Sequence, residues 1–340
     1  MVHRSRRPRA TGFLGMVALV LGVEILIGTR RDLADPVAIQ WRYRAGAVRG
    51  RGARVDVLCL GDSLVRYGVA APVLGRKLGR SVANHAVPAA PPAATYFALR
   101  DAIDAGARPR VVVVSYAPFL LVPGYRLNRA FLPEMAGLGA CLDLARREAD
   151  PALAGALTLG RLVPSVRHRE PLRAAAGRLV RGGDAPLPPR TRRPDLWLPG
   201  GGDESVFDWF YPPAWQAGAE HARYIDRLID LAREHDAAVA WVMPPVGLTL
   251  RREWDALGLS DRYARFAASF QARHPNLVIL DGRSDPVTDA ELLDPLHLNA
   301  RGAAAFTARV AEALDPARLT AGPRRVALGA RAGAPVMVID

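Results

Sequence analysis

The chain has 340 residues, half of them apolar, and a formal net charge of +13. That length allows one large domain or two modest ones around a sizeable core. The cations are almost all arginine, beside a single lysine, Lys77, and are spread along the chain with no nucleic-acid motif. This pattern excludes nucleic-acid binding as the main role and suits contact with anionic envelope polymer or lipid headgroups better.

The first element is a basic head over residues 3–9, followed by an apolar run at 12–28 and then Arg30-Arg31. The run has the minimum length for a membrane span, and no small-residue cleavage site follows it. Residues 1–31 therefore read as a cytoplasmic head and an uncleaved signal-anchor, with the rest of the chain periplasmic or extracellular. Glu24 lies inside the run, near the end where it reaches the interface. Residues 32–53 read as a polar, Arg-rich connector, helical over 37–44.

A β/α alternation follows. Strands are expected at 55–60, 81–84 and 111–115, with helices at 69–78 and 93–105 between them. Apolar runs of this kind are typical of strands buried on both faces. The fold class is thus α/β, a doubly wound, mainly parallel three-layer sheet with an N-terminal membrane helix and a helical insertion. The domain spans 54–320, and the tail 321–340 has no assigned place.

Residues 119–205 interrupt the alternation and read as an inserted cap over the carboxyl edge of the sheet. Its helices are expected at 138–149, 152–159 and 171–180, with loops at 182–194. Trp197, Trp209, Tyr211 and Trp215 cluster where it rejoins the sheet. They fit packing in a seam better than a sugar-stacking platform. The alternation resumes with a helix at 213–235, a strand at 238–243, a helix at 261–273, a last strand at 277–280 and a closing helix at 302–314.

Two motifs carry the chemistry. Val57-Leu58-Cys59-Leu60 ends abruptly in Gly61-Asp62-Ser63-Leu64, which puts a serine at the carboxyl end of a strand. Far downstream stands Asp294-Pro295-Leu296-His297-Leu298-Asn299. Together they supply a nucleophile, Ser63, a base, His297, and an orienting carboxylate, Asp294. Asp62 suits shaping of the turn or helix capping rather than acid catalysis, and Asn299 suits capping of the closing helix. The two cysteines, Cys59 and Cys141, make no disulfide scaffold, and no metal-ligating pattern or cofactor motif is present.

At these residues the chain resembles the SGNH, or GDSL, hydrolases. Gly61-Asp62-Ser63-Leu64 matches the family's first block, and Asp294-x-x-His297 its last. Asn84-His85-Ala86-Val87-Pro88-Ala89 is similar to the second block, with Ala89 in place of the usual glycine. Ser115-Tyr116-Ala117-Pro118 stands where the third block carries an asparagine. The resemblance implies an SGNH- or flavodoxin-like fold and roles as nucleophile, base and orienter for Ser63, His297 and Asp294. It implies an oxyanion hole from the Ser63 and Ala89 backbone N–H groups, the latter serving as well as glycine if its φ is negative. The third donor has no match; Asn84 and Ser115 are the nearest polar candidates, and His85 is better read as structural.

The expected activity is ester hydrolysis or O-acyl transfer through an acyl-serine, needing no cofactor and no metal. The altered third block, anchor and insertion resemble the branch with envelope O-acetyltransferases and D-alanine transfer proteins. The substrate would be an acylated small molecule or an envelope glycan, and an envelope acyltransferase a fitting partner. The alternative is a non-catalytic binding or assembly protein of the cell envelope that keeps the fold.

Overall fold

A computed structural model describes residues 9–29, 36–50, 55–123, 132–147, 149, 151–180, 215–314 and 324–328. The basic head before Arg9, Arg30-Arg31, the loops at 182–194, Trp197, Trp209, Tyr211 and the last residues of the tail lie outside them. Helix α1 (Arg9–Thr29) leads into α2 (Pro36–Gly50). Within α1 the stretch Gly12–Thr29 is long and apolar enough to cross a membrane, with a mean hydropathy of 2.1 and none of it buried.

The domain then runs β1 (Val57–Cys59), α3 (Ser63–Gly68), α4 (Ala71–Leu78), β2 (Val82–Asn84), α5 (Pro92–Asp104) and β3 (Val111–Val114). The insertion supplies α6 (Leu132–Met135), α7 (Leu138–Arg147), α8 (Pro151–Leu162), α9 (Pro164–Arg167) and α10 (Arg169–Val180). The chain returns through α11 (Ala219–Glu234), β4 (Ala238–Met243), α12 (Leu248–Ala256), α13 (Leu259–Gln271), β5 (Leu277–Asp281), α14 (Ala300–Ala313) and β6 (Arg324–Ala327).

The six strands form one parallel sheet in the order β2-β1-β3-β4-β5-β6. Side chains alternate between its faces. Leu58, Val112, Val239, Trp241 and Ile279 pack beneath α2, α5, α11 and α13. Val57, Cys59, Val113, Val242 and Leu280 pack against α4 and α14. Helices on both faces explain why the strands are continuous apolar runs. The chain turns outward in opposite directions from β1 and β3, so a switch point opens at their carboxyl ends, where ligands bind in open α/β sheets.

The connector is helical as expected, and its helix α2 also buries Trp41, Ala45 and Val48 in the main core. Three expectations are corrected. The helix after β1 begins at Ser63 rather than 69 and breaks before α4. The strand at 277–280 is not the last, since β6 in the tail pairs beside β5 and buries Val326. The insertion's principal contacts are with α1, α2 and α5, and Asp143 reaches Arg227 of α11, so its described helices form an outer layer on one face. Their apolar faces, including Cys141, Leu144 and Leu157, find burial there. Cys59 and Cys141 are both buried free thiols.

Candidate active site

Ser63 owes its position to a tight crossing of two loops. Gly61 sits at φ 114, and a Cβ there would come within 2.6 Å of the Ser115 carbonyl oxygen. Only glycine tolerates both the angle and the approach. The Asp62 N–H then donates to that same carbonyl at 3.3 Å, and α3 starts at the next residue.

Asp62 caps α3. Its Oδ1 accepts from the Leu64 N–H at 2.9 Å and its Oδ2 from the Ala117 N–H at 2.6 Å. It therefore ties the loop after β1 to the loop after β3. The side chain is fully buried, and burial pushes its carboxyl up to about 7 despite the two hydrogen bonds. Ser63 itself is only 3% exposed. Standing at the first helical position, its backbone N–H has no intrahelical partner and points into the helix-start environment that favours negative charge.

His297 is placed by the loop before α14. Both Asp294 carboxylate oxygens meet its Nδ1, Oδ1 at 3.0 Å and Oδ2 at 2.9 Å. Asp294 Oδ1 also accepts from the Leu296 and His297 backbone N–H groups, at 2.8 and 2.9 Å. The carboxylate thus holds both the loop and the ring, and Nε2 is the nitrogen turned to other work. The His297 ring meets Tyr67 edge-on, with centroids 5.2 Å apart. Tyr67 lies one turn along α3 from Ser63, so the imidazole is seated against the helix that the serine opens. Asn299 caps α14 as expected, accepting from Arg301 and Gly302 at 2.9 and 3.1 Å.

The oxyanion candidates fare differently. Asn84 does not offer its amide to the serine. Its Nδ2 donates to the Val65 and Val69 carbonyls at 3.0 and 2.9 Å, and its Oδ1 accepts from the Ala86 N–H at 3.1 Å. The Val65 carbonyl also accepts from the Val69 N–H at 3.1 Å, and the Val69 carbonyl, past the end of α3, takes its donor from Asn84. Thr307 does the same from the other side, accepting from the Ala70 N–H at 2.9 Å and donating to the Gly68 carbonyl at 3.3 Å. Ser115 is fully buried and neighbours the Tyr263 phenol. Ala89 has φ 58, so the condition of a negative φ is not met. It lies in the left-handed region that favours glycine, at the third position of a turn closed by the Ala90 N–H on the Val87 carbonyl at 3.3 Å. With Pro88 before it, this is the arrangement of a type II turn. The Val87 N–H donates to the Gly61 carbonyl at 3.1 Å, which fastens the turn beside the serine loop.

No family model matches the sequence, and no curated protein does either.

Three neighbours of the site escaped the sequence reading. Trp41 Nε1 donates to the Pro88 carbonyl at 3.0 Å, and Arg44 to the Asn84 carbonyl. Tyr67 backs the imidazole. The available signals were an isolated Trp in an Arg-rich segment and an aromatic four residues after the serine. Trp215 is buried, with Nε1 donating to the Pro118 carbonyl at 2.7 Å, so of the aromatic cluster it at least serves packing. A cavity of about 530 Å³ lies at the opposite, amino edge of the sheet, lined by Asp56, Arg80, Arg110, His235 and Asp236. With Arg108 also in its lining, three arginines there face two aspartates.

Proposed function

We propose that this protein is a membrane-anchored serine ester hydrolase or O-acyltransferase of the SGNH type, its site facing outward. The observation that carries the reading is the Asp294–His297 couple, gripped through both carboxylate oxygens and seated on the helix that Ser63 opens. The strand order and two-faced helix cover support a doubly wound, flavodoxin-like sheet, with Ser63 at its switch point.

In the proposed reaction Ser63 Oγ attacks the acyl carbonyl and its proton passes to His297 Nε2. Asp294 holds Nδ1–H, which fixes the tautomer and stabilises the imidazolium. The tetrahedral oxyanion meets the Ser63 N–H at the start of α3 and the N–H of the Ala89 turn. Collapse breaks the ester C–O bond, and the leaving alcohol takes the proton from His297. A water or an acceptor hydroxyl then repeats the steps on the acyl-serine. With Asn84 committed elsewhere and Ser115 at the third block, the hole has fewer side-chain donors than the family it resembles. This favours transfer to a held glycan hydroxyl over rapid hydrolysis, since a positioned acceptor recovers rate through proximity.

A non-catalytic envelope binding protein is the second reading, favoured by the commitment of the Asn84 amide. A fluorophosphonate probe separates the two. Labelling of the full-length chain that Ser63→Ala abolishes supports the enzyme. Absence of labelling in a folded sample supports the binding protein.

A further inference from the structure

Helix α8 presents a mostly apolar face outward, with Thr158 and Arg161 half-buried at its sides. Its inner stripe, Leu153, Leu157 and Gly160, is buried against the insertion. Its outward residues are Pro151, Ala152, Gly155, Ala156, Leu159 and Leu162, with no polar or charged side chain among them. Leu159 is 49% and Leu162 61% exposed. A water-facing helix places its polar residues outward, and a contiguous exposed apolar face is covered by something apolar.

What covers it follows from α1. The Glu24 carboxylate, within the apolar run, accepts from the Ser165 N–H at 2.9 Å and from the Ser165 hydroxyl. Four residues on, Gly28 faces Pro164, where a Cβ would lie 3.2 Å from the proline ring. The end of α1 is therefore docked on α9. Glu24 lies five residues before Thr29, about 7.5 Å along the axis, which puts α9 at the depth where an apolar span meets the headgroups. Leu162 is two residues from Pro164, within about 7 Å of chain. Exposed arginines, Arg169 and Arg173, follow on α10, at the level where anionic headgroups would meet them.

We propose that the outward face of α8 is seated in the lipid interface, with the Glu24–Ser165 contact setting its depth. The insertion is then a second, monotopic membrane contact. It holds the sheet close to the bilayer and orients the domain, where a single span would leave it free to tumble. The inference rests on reading α1 as a membrane span. The partner is the bilayer itself, through its acyl-chain boundary and anionic headgroups.

The test uses the full chain in vesicles of phosphatidylcholine and phosphatidylglycerol. Single bimane labels are placed through Leu159→Cys, Leu162→Cys, Val20→Cys and Lys77→Cys; Lys77 is on α4, across the sheet. The native cysteines are buried. Doxyl-labelled lipids should quench the labels at 159, 162 and 20 and leave the one at 77 bright. Quenching at 20 but not at 159 and 162 overturns the proposal and leaves the anchor standing. No quenching at 20 removes the anchor and the proposal with it. Cross-linking between copies through 159 without lipid quenching assigns the face to a second copy and also overturns it. Glu24→Ala makes α1 more apolar, so the span should persist; quenching at 162 should fall while that at 20 is kept. Unchanged quenching at 162 would overturn the depth-setting role of Glu24.

Discussion

Trp41 donates its indole N–H to the carbonyl of Pro88 at 3.0 Å, across 47 residues of sequence. The helix that follows the apolar segment is thereby fastened to the turn beside the serine. The bond is buried and the indole fully enclosed. Trp41→Phe keeps most of the apolar volume but removes the donor. Leaving the Pro88 carbonyl without this partner should cost about 1–3 kcal/mol. Denaturant titration in detergent measures it, and a loss below roughly 0.5 kcal/mol would mean that the carbonyl finds another donor.

The turn itself makes an opposite prediction. Ala89 at φ 58 carries left-handed strain of roughly 1 kcal/mol. Ala89→Gly removes that strain and adds a comparable unfolded-state entropy, so stability should rise or stay within about 1 kcal/mol. Ala89→Val should lower it, because a β-branched residue fits this region worst. The order Gly, Ala, Val in melting temperature is the readout. A reversal would mean that the turn relaxes out of the left-handed region.

Much of the fold was legible because its strands are buried on both faces. Val111–Val114 and Ala238–Met243 announce themselves as apolar runs. Two elements were not. Strand β6 opens with Arg324-Arg325 and owes its place to pairing with β5 and to the Arg325–Asp281 ion pair. Helix α3 has only six residues, and its termination depends on Asn84 and Thr307, neither of them local. At the site, Ser63 stood out at the abrupt end of an apolar run, and Asp294 and His297 stood out together in one short loop. The duty of Asn84 was invisible, since what it satisfies is a helix break that the sequence does not mark.

Asp62 should make stability depend on pH in an unusual direction. Its carboxyl is raised from 3.8 to about 7 by burial. Between those values the folded chain keeps the proton that the unfolded chain gives up. Asp62 therefore contributes stability below 3.8 that is lost as the pH rises to about 7, and the loss levels off above. Asp62→Asn, a neutral mimic, should flatten this component. The check is the difference between the two proteins in denaturation midpoint across the window. A constant difference would show that Asp62 ionises normally in the fold.

Asp281 should behave in the reverse sense. Burial opposes its charge, but Arg283 at 2.8 Å, together with Arg325, outweighs it and holds the carboxyl at about 2. Its stabilisation is full above 3.8 and disappears as the pH falls toward 2. A shift of this size corresponds to roughly 2 kcal/mol. Arg325→Met should reduce that pH dependence and weaken the edge strand at neutral pH. If acid unfolding is unchanged in the variant, β6 is not held by this pair.

The last prediction concerns the proposed chemistry and separates positioning from bond making. Asp294→Asn keeps an oxygen for the Leu296 and His297 N–H groups, so the loop should survive. It no longer holds Nδ1–H as a carboxylate does, and the tautomer that leaves Nε2 as base is lost. Acyl transfer should fall by about 100- to 10,000-fold with little change in substrate affinity. Ser63→Ala should remove covalent labelling altogether. In the parent protein, simple acetyl esters should turn over slowly without an acceptor, because the oxyanion lacks a third donor. A missing donor typically costs about 100- to 1000-fold. Oligosaccharide acceptors should raise the rate and appear as acylated sugar by mass spectrometry. Fast hydrolysis that ignores the acceptor and vanishes in Ser63→Ala would make the protein a plain esterase. It would also mean that the Ser63 and Ala89 N–H groups suffice for the oxyanion.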